Sequence, residues 1–263
     1  HRICKLRRAM TRTVSKYMRV YAGGYDISGN TRSIGPLTWT FEEESMTCLN
    51  WPVAGTLPGK ATMGCGTLNG LFDSTAITGL HALQSTSGVT RDVMIPIGMS
   101  AAPTYGNPVY MGQFPQTGYM VEPGEIMSTV SITFSSNDVS KGLKYDKPWG
   151  VLLHPLGAET EANTNETNVH NNGTGTTAGG YLMYQITAVA GTGNATISID
   201  DSEDGETYGA LSGATSGAIA HTAIPCAGIV QLATNATVKQ YLRFQVALDT
   251  ITSVTFALAF VRG

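Results

Sequence analysis

Two stretches near the C-terminal end constrain the fold most. In Tyr241-Leu-Arg-Phe-Gln-Val-Ala-Leu248 and again in Val254-Thr-Phe-Ala-Leu-Ala-Phe-Val261, large apolar residues recur at every second position. A period of two belongs to extended chain, whose side chains point alternately to opposite faces. Each run is long enough for a half-buried strand, and the pattern predicts that the two close on each other as an antiparallel pair.

The same grammar runs through most of the chain. Short stretches rich in Val, Ile, Thr, Tyr and Phe, broken by Gly, Pro and Asn, predict strands at Tyr17–Tyr21, Leu37–Glu44, Ala61–Leu71, Val93–Ile97, Val109–Thr117, Met127–Ser135 and Gly150–His154. A second set follows at Tyr181–Ala190, Ala195–Asp200 and Gly228–Leu232. Turn chemistry sits at Asp26–Gly29, Pro58–Gly59 and Pro123–Gly124, and Gly64-Cys65-Gly66 reads as a bulge or turn. One segment, Thr75–Gln84, has helical spacing, with Ile77, Leu80 and Leu83 on one side. The expected class is mainly β with one short helix.

Charge divides the chain. Arg2, Lys5, Arg7, Arg8, Arg12, Lys16 and Arg19 crowd the first nineteen residues, which hold no carboxylate; the remainder has nine cations against nineteen carboxylates. The arm, 1–19, spaces Ile3, Leu6, Met10, Val14, Tyr17 and Met18 as a basic amphipathic helix. Residues 20–157 then form a first β domain, 158–180 a Thr/Asn/Gly-rich flexible linker, and 181–263 a C-terminal antiparallel β-sandwich. Charged residues are only 13% of the chain, about half the usual ~25%, so much of its surface is expected to be covered by neighbouring copies. The basic arm has the charge to bind nucleic acid. Pairing with acidic surface on another copy is the favoured use, because the body supplies that surface.

Little in the sequence points to catalysis. His1, His81, His154, His170 and His221 are scattered with no ligand-spaced pair, and no nucleophile elbow, P-loop or zincin motif occurs. No catalytic, cofactor or metal site is expected. Cys4, Cys48, Cys65 and Cys226 are too widely spaced for a disulfide framework and read as reduced thiols. No apolar run reaches the ~18 residues of a membrane span. The acidic run Glu42-Glu43-Glu44 continues a strand with Trp39 and Phe41, which marks it as a candidate acidic lumen or interface. Asp200-Asp201-Ser-Glu203-Asp204-Gly205-Glu206 reads as a hairpin turn, because it lacks the register of a calcium loop. Among Trp39, Trp51 and Trp149, only Trp51 is expected on a loop, where it would suit a sugar platform.

Several segments resemble a known family. Tyr21-Ala-Gly-Gly-Tyr25-Asp26-Ile-Ser28-Gly29 resembles the opening strand-turn of tail tube (major tail) proteins of long-tailed bacteriophages. Leu57-Pro-Gly-Lys60 through Leu68-Asn-Gly-Leu-Phe72-Asp73 is similar to the strand-turn-strand that follows it. Gly106-Asn-Pro-Val-Tyr110-Met-Gly-Gln113 and Tyr119–Phe134 are similar to the next two strands. Residues 181–263 resemble the appended β-sandwich of phage tail and virion proteins.

The resemblance implies a tail-tube-type β-sandwich or barrel that closes with five copies into a hexameric ring. Rings would stack around a tape-measure protein, with terminator and baseplate proteins at the ends and viral DNA passing without specific binding. It implies a virion protein assembled in the host cytoplasm, with no cofactor and no membrane partner. The basic arm and Glu42–Glu44 lie outside it. Two other readings stand beside it: a capsid decoration or head–tail connector protein, and a carbohydrate-binding adhesin module.

Overall fold

Val, Ile, Thr and aromatic residues between Gly, Pro and Asn turns favour pleated, half-buried chain, and strands dominate the fold. The computed structural model describes residues 15–46, 55–74, 79–83, 88–136, 145, 147–161, 163–164 and 169–263. Its strands are β1 (Tyr21–Ala22), β2 (Tyr25–Asp26), β3 (Thr31–Ile34), β4 (Thr38–Ser45), β5 (Thr56–Gly64), β6 (Thr67–Leu71), β7 (Thr90–Pro96), β8 (Pro108–Glu122) and β9 (Thr129–Phe134). Then come β10 (Trp149–Glu159), β11 (Asn163–Thr164), β12 (His170–Asn171), β13 (Gly180–Ser202), β14 (Gly209–Thr215), β15 (Ile219–Ala220), β16 (Cys226–Gln231) and β17 (Tyr241–Arg262). All pairings between them are antiparallel.

The long β8 organises the first module. Its first half pairs with β7, which pairs with β1; its second half pairs with β9, which leads through β6 to β3. Between these two sheets lies a core of Ile27, Leu68, Val93, Ile95, Tyr110, Phe114, Ile132 and Phe134. β4 and β5 pair only with each other, as a separate two-stranded sheet.

In the second module β13 and β17 pair along their whole lengths, from Gly180 opposite Arg262 to Ser202 opposite Tyr241. The ribbon bends where Gly191 (φ +87°), Gly193 (φ +121°) and Thr250 (φ +59°) take left-handed backbone. A Cβ on Gly193 would lie 2.0 Å from the Asp249 carbonyl oxygen, so this bend needs glycine. One half of the ribbon is flanked by β16 and β10, the other by β14, β11 and β12. The space between the halves is filled by Leu182, Ile186, Ile197, Ile199, Phe244, Phe256, Leu258 and Phe260.

The first ribbon half is buried on both faces. Its other side presents Tyr181, Met183, Ala257, Ala259 and Val261 to Tyr21, Met94, Val109 and Met111 of the first module. Gln185, fully buried, closes this contact: its Oε1 accepts from Gly24 N–H (2.8 Å) and its Nε2 donates to the Asp92 carbonyl (2.8 Å).

Several sequence expectations change. Tyr241–Leu248 and Ser253–Val261 are two halves of one bent strand, each bonded to a half of β13 rather than to each other. Phe256–Val261 is buried throughout rather than half-buried. The expected strand Ala61–Leu71 divides at Cys65–Gly66, where Gly66 has φ +64°. Pro58–Gly59 lies inside β5, where a register shift in the β4–β5 pairing falls between Phe41 and Glu43. Proline is tolerated there because the strand has an open edge. Tyr17–Tyr21 begins with a 3₁₀ turn at Ser15–Tyr17 and becomes strand only at Tyr21.

The described part of Thr75–Gln84 is a 3₁₀ turn, Leu80–Leu83, because Gly79 at φ +80° cannot continue an α-helix. Within 158–180, β10 reaches Glu159, and β11 and β12 pair with β17. After β13, Asp204 forms the expected turn by accepting from the Thr207 and Glu206 amides, which hold its carboxyl well below the usual carboxylate range.

Candidate assembly surface

The β4–β5 hairpin belongs to the first module, and seven of the eight β4 residues and the first five of β5 are exposed. Its root is fixed. Met63 is buried in the core, and the Tyr110 hydroxyl lies 2.8 Å from the Thr38 carbonyl oxygen and 2.7 Å from that of Gly64. With one proton it donates to one of these, and it accepts from Gly64 N–H at 3.1 Å. Beyond the root, Trp39 and Phe41 sit opposite Met63 and Ala61 on one face. Their rings are 5.5 Å apart, and 40% and 42% of the two residues face solvent. Met46 and Leu57 are exposed farther out.

Glu42, Glu43 and Glu44 are all exposed on the same strand. The hairpin therefore combines an overhanging aromatic pair, three carboxylates and two strand edges that pair with no other described strand. A two-stranded hairpin is marginal by itself, and open edges recruit further chain.

A complementary surface lies elsewhere on the first module. Lys16, Met18, Val20, Ser28 and Arg32 line a hollow of about 270 Å³. Arg32 also borders a second hollow of about 310 Å³ with Asn69, Met120, Glu122 and Ser131. Next to it the β8–β9 connection exposes Met127 and Ile126, the latter 94% exposed. Arg19 donates to the Lys16 and Met18 carbonyls, and the Lys16 ammonium lies 4.8 Å from the Tyr17 ring centre. The described ion pairs are His154–Glu159 and Arg243–Asp200. Neither Lys16 nor Arg19 meets Glu42–Glu44 within the chain.

Of the seven arm cations, Lys16 lines this basic hollow, while Arg19 is described with its guanidinium on the Lys16 and Met18 carbonyls. Arg2, Lys5, Arg7, Arg8 and Arg12 lie outside the described residues, as do Trp51, Cys4 and Cys48. Sequence reasoning marked Glu42–Glu44 but missed Arg32 and the Met120–Met127 patch. The available signal was Glu125-Ile126-Met127, an apolar pair within a turn. No cluster of three or more His, Cys, Asp or Glu placed to hold a metal occurs among the described residues.

No family model and no curated protein matches the chain. Among solved structures, the Dit protein of phage SPP1 aligns with a TM-score of 0.31 at 11% identity, over 93% of this chain and 99% of that one. That protein is described as a paradigm of the hub adsorption apparatus in phages that infect Gram-positive bacteria.

Proposed function

We propose that this chain is a structural virion protein of a long-tailed bacteriophage, assembling with copies of itself into hexameric rings that stack as the tail tube. The hairpin carries the reading. One chain presents an aromatic hairpin of net acidic charge on β4–β5 and, on other strands, the exposed Met120 beside Arg32, which also borders the hollow lined by Lys16. Two different, mutually complementary patches make a head-to-tail contact, and such contacts close into rings when the rotation allows. Covering the exposed parts of Trp39 and Phe41 removes roughly 180 Å² of apolar surface, worth about 4 kcal/mol per contact. Opposed charges fix the direction of docking.

In this reading Glu42–Glu44 dock against the neighbour's basic hollow, and the arm extends that basic surface. A tape-measure protein fills the ring until DNA passes, and terminator or baseplate proteins cover the two ends. The sequence resemblance to tail tube proteins supports the same assignment. A connector or capsid decoration protein would need a non-identical partner for the hairpin.

Negative-stain microscopy and light scattering of the purified chain test the reading. Six-fold rings or tubes are expected from the unmodified protein, and monomers with unchanged circular dichroism from the double variant Trp39→Glu/Phe41→Glu. Pairing Arg32→Glu with Glu43→Arg should restore assembly that Arg32→Glu alone weakens. A chain that stays monomeric up to its solubility limit, or rings indifferent to the hairpin variants, would overturn it.

A further inference from the structure

A groove on the second module has features that assembly does not use. β10 and β17 form its floor, where Val151 pairs with Phe260. Two residues farther along each strand, on the same face, stand Trp149 and Arg262. His170 and Asn172, on and just after β12, make the wall, and the enclosed space is about 240 Å³.

Each polar group here is held in place. The Arg262 guanidinium donates to the carbonyls of Val238, Lys239 and Gln240, which uses three of its five N–H donors. It forms no ion pair with a described carboxylate. Burial pushes its pKa down and the charge of Asp201 opposes that, so a fixed cation borders the groove with donors to spare. Trp149 meets Tyr110 edge-on at 5.2 Å and 73°, which sets its ring plane, and is still 40% exposed.

His170 is half-buried, and burial together with Arg262 pushes its pKa below 6.5. At neutral pH its ring is therefore one donor and one acceptor, the pair of roles a sugar hydroxyl answers. The Asn172 backbone is pinned by its N–H to the Gln240 carbonyl at 3.1 Å, while its side chain is exposed at the rim.

We propose that this groove binds an acidic saccharide, one sugar ring lying against Trp149 with its carboxylate or phosphate on Arg262. A flat aromatic face gives the ring of C–H groups an apolar platform. The two donors left free on the guanidinium, Nε–H and one Nη1–H, offer an anion a charge-assisted hydrogen bond that a neutral group does not match. His170 and Asn172 then read hydroxyls at the rim. Trp149 rests on Tyr110, whose hydroxyl holds the hairpin root, but no residue lining the groove belongs to β4 or β5, so the inference does not rest on the assembly reading.

Calorimetric titration of the full chain with digalacturonate, glucose 6-phosphate, maltose, inorganic phosphate and AMP tests it. At least one acidic sugar is expected to bind about tenfold or more tighter than maltose and phosphate; the better of the two names the anion. Trp149→Ala and Asn172→Ala should each weaken that binding severalfold with an unchanged melting curve. Arg262→Gln, which removes the charge, should erase the preference for the acidic sugar, and the Trp39→Glu/Phe41→Glu variant should bind normally. Equal binding of maltose, tightest binding of AMP, binding of phosphate alone, or affinity unaffected by Trp149→Ala would each overturn the proposal.

Discussion

Replacing Gln185 by Met measures what the contact between the modules contributes. The substitution keeps side-chain volume and removes both hydrogen bonds. Their two partners are not left in the same condition. The Asp92 carbonyl still accepts from Gly23 N–H at 3.1 Å, so it loses one of two partners. Gly24 N–H is buried and gives its bond to Gln185 Oε1. The backbone cannot turn away to find another acceptor, because Gly24 sits at φ +88° with its α-carbon packed against Cys226.

An orphaned buried donor costs about 1–3 kcal/mol, and the bond to Asp92 adds about 1 kcal/mol. The expected loss is therefore about 2–4 kcal/mol, read as a drop in urea midpoint at constant slope. Gln185→Glu keeps the acceptor for Gly24 but sets a carboxylate oxygen against the Asp92 carbonyl, so it should also destabilise, most strongly at high pH. Loss of less than about 1 kcal/mol in Gln185→Met would refute the claim that this one side chain ties β1–β2 and β7 to β13.

Three further outcomes are expected. Tyr110→Phe should leave global stability nearly unchanged yet speed hydrogen exchange of β4–β5 amides about tenfold, the equivalent of ~1.4 kcal/mol at the hairpin root; equal protection would refute the clamp. His154 donates its Nδ1–H to the Phe256 carbonyl at 3.0 Å and has Glu159 Oε1 3.0 Å from Nε2. Burial pushes its pKa below 6.5 while Glu159 pulls it up, so Glu159→Gln should lower it further in an imidazole ¹⁵N titration. Because the folded-state value lies below the unfolded one, this histidine's contribution to stability is full above pH 6.5 and lost as pH falls through the folded value. His154→Phe should flatten that part of the pH profile of the urea midpoint.

Raising salt should slow ring assembly without abolishing it, because screening shortens to about 3 Å at 1 M and weakens the Glu42–Glu44 contacts but not burial of Trp39 and Phe41. Light scattering that falls to monomer at high salt would count against the aromatic contact.

The β class and most strand positions were legible because alternation and turn residues act locally. Bending was not, since the residues that bend β13 and β17 look like ordinary turn signals. Gly191-Thr-Gly193 and Asp249-Thr250 fall in the gaps between separately expected strands, and only the cross-strand pairing of the two bends shows one folded ribbon. The double burial of Phe256–Val261 did leave a trace. Its off-face residues are Ala257, Ala259 and Val261 rather than polar ones, as expected of a strand covered on both sides. For the candidate surface, Glu42–Glu44 stood out as a charge run. Arg32 and Met120 could not, because their meaning depends on β3, β6, β9 and β8 lying in that order in one sheet. The groove was equally hidden: Trp149, His170 and Arg262 are far apart in sequence and converge only through pairing with β17.

The distribution of support explains why the hairpin is the element that needs a partner. Ribbon strands β13 and β17 have neighbours on both sides and cores on one or both faces. β9 is paired along both edges, and β8 pairs with β7 and β10 in its first half and with β9 in its second. β4 and β5 alone form a sheet of two, with aromatic side chains that their own module does not cover. Such a strand pair should either fray or be disguised with charge along its edges. Here Glu42–Glu44 on β4 outnumber the exposed Lys60 on β5, so the described hairpin strands are acidic on balance, while Trp39 and Phe41 remain partly bare. In the assembly proposed above, the three carboxylates on β4 would prefer a basic surface such as the hollow beside Lys16 and Arg32 to an acidic one, which favours one docking direction over its reverse, as a head-to-tail contact requires.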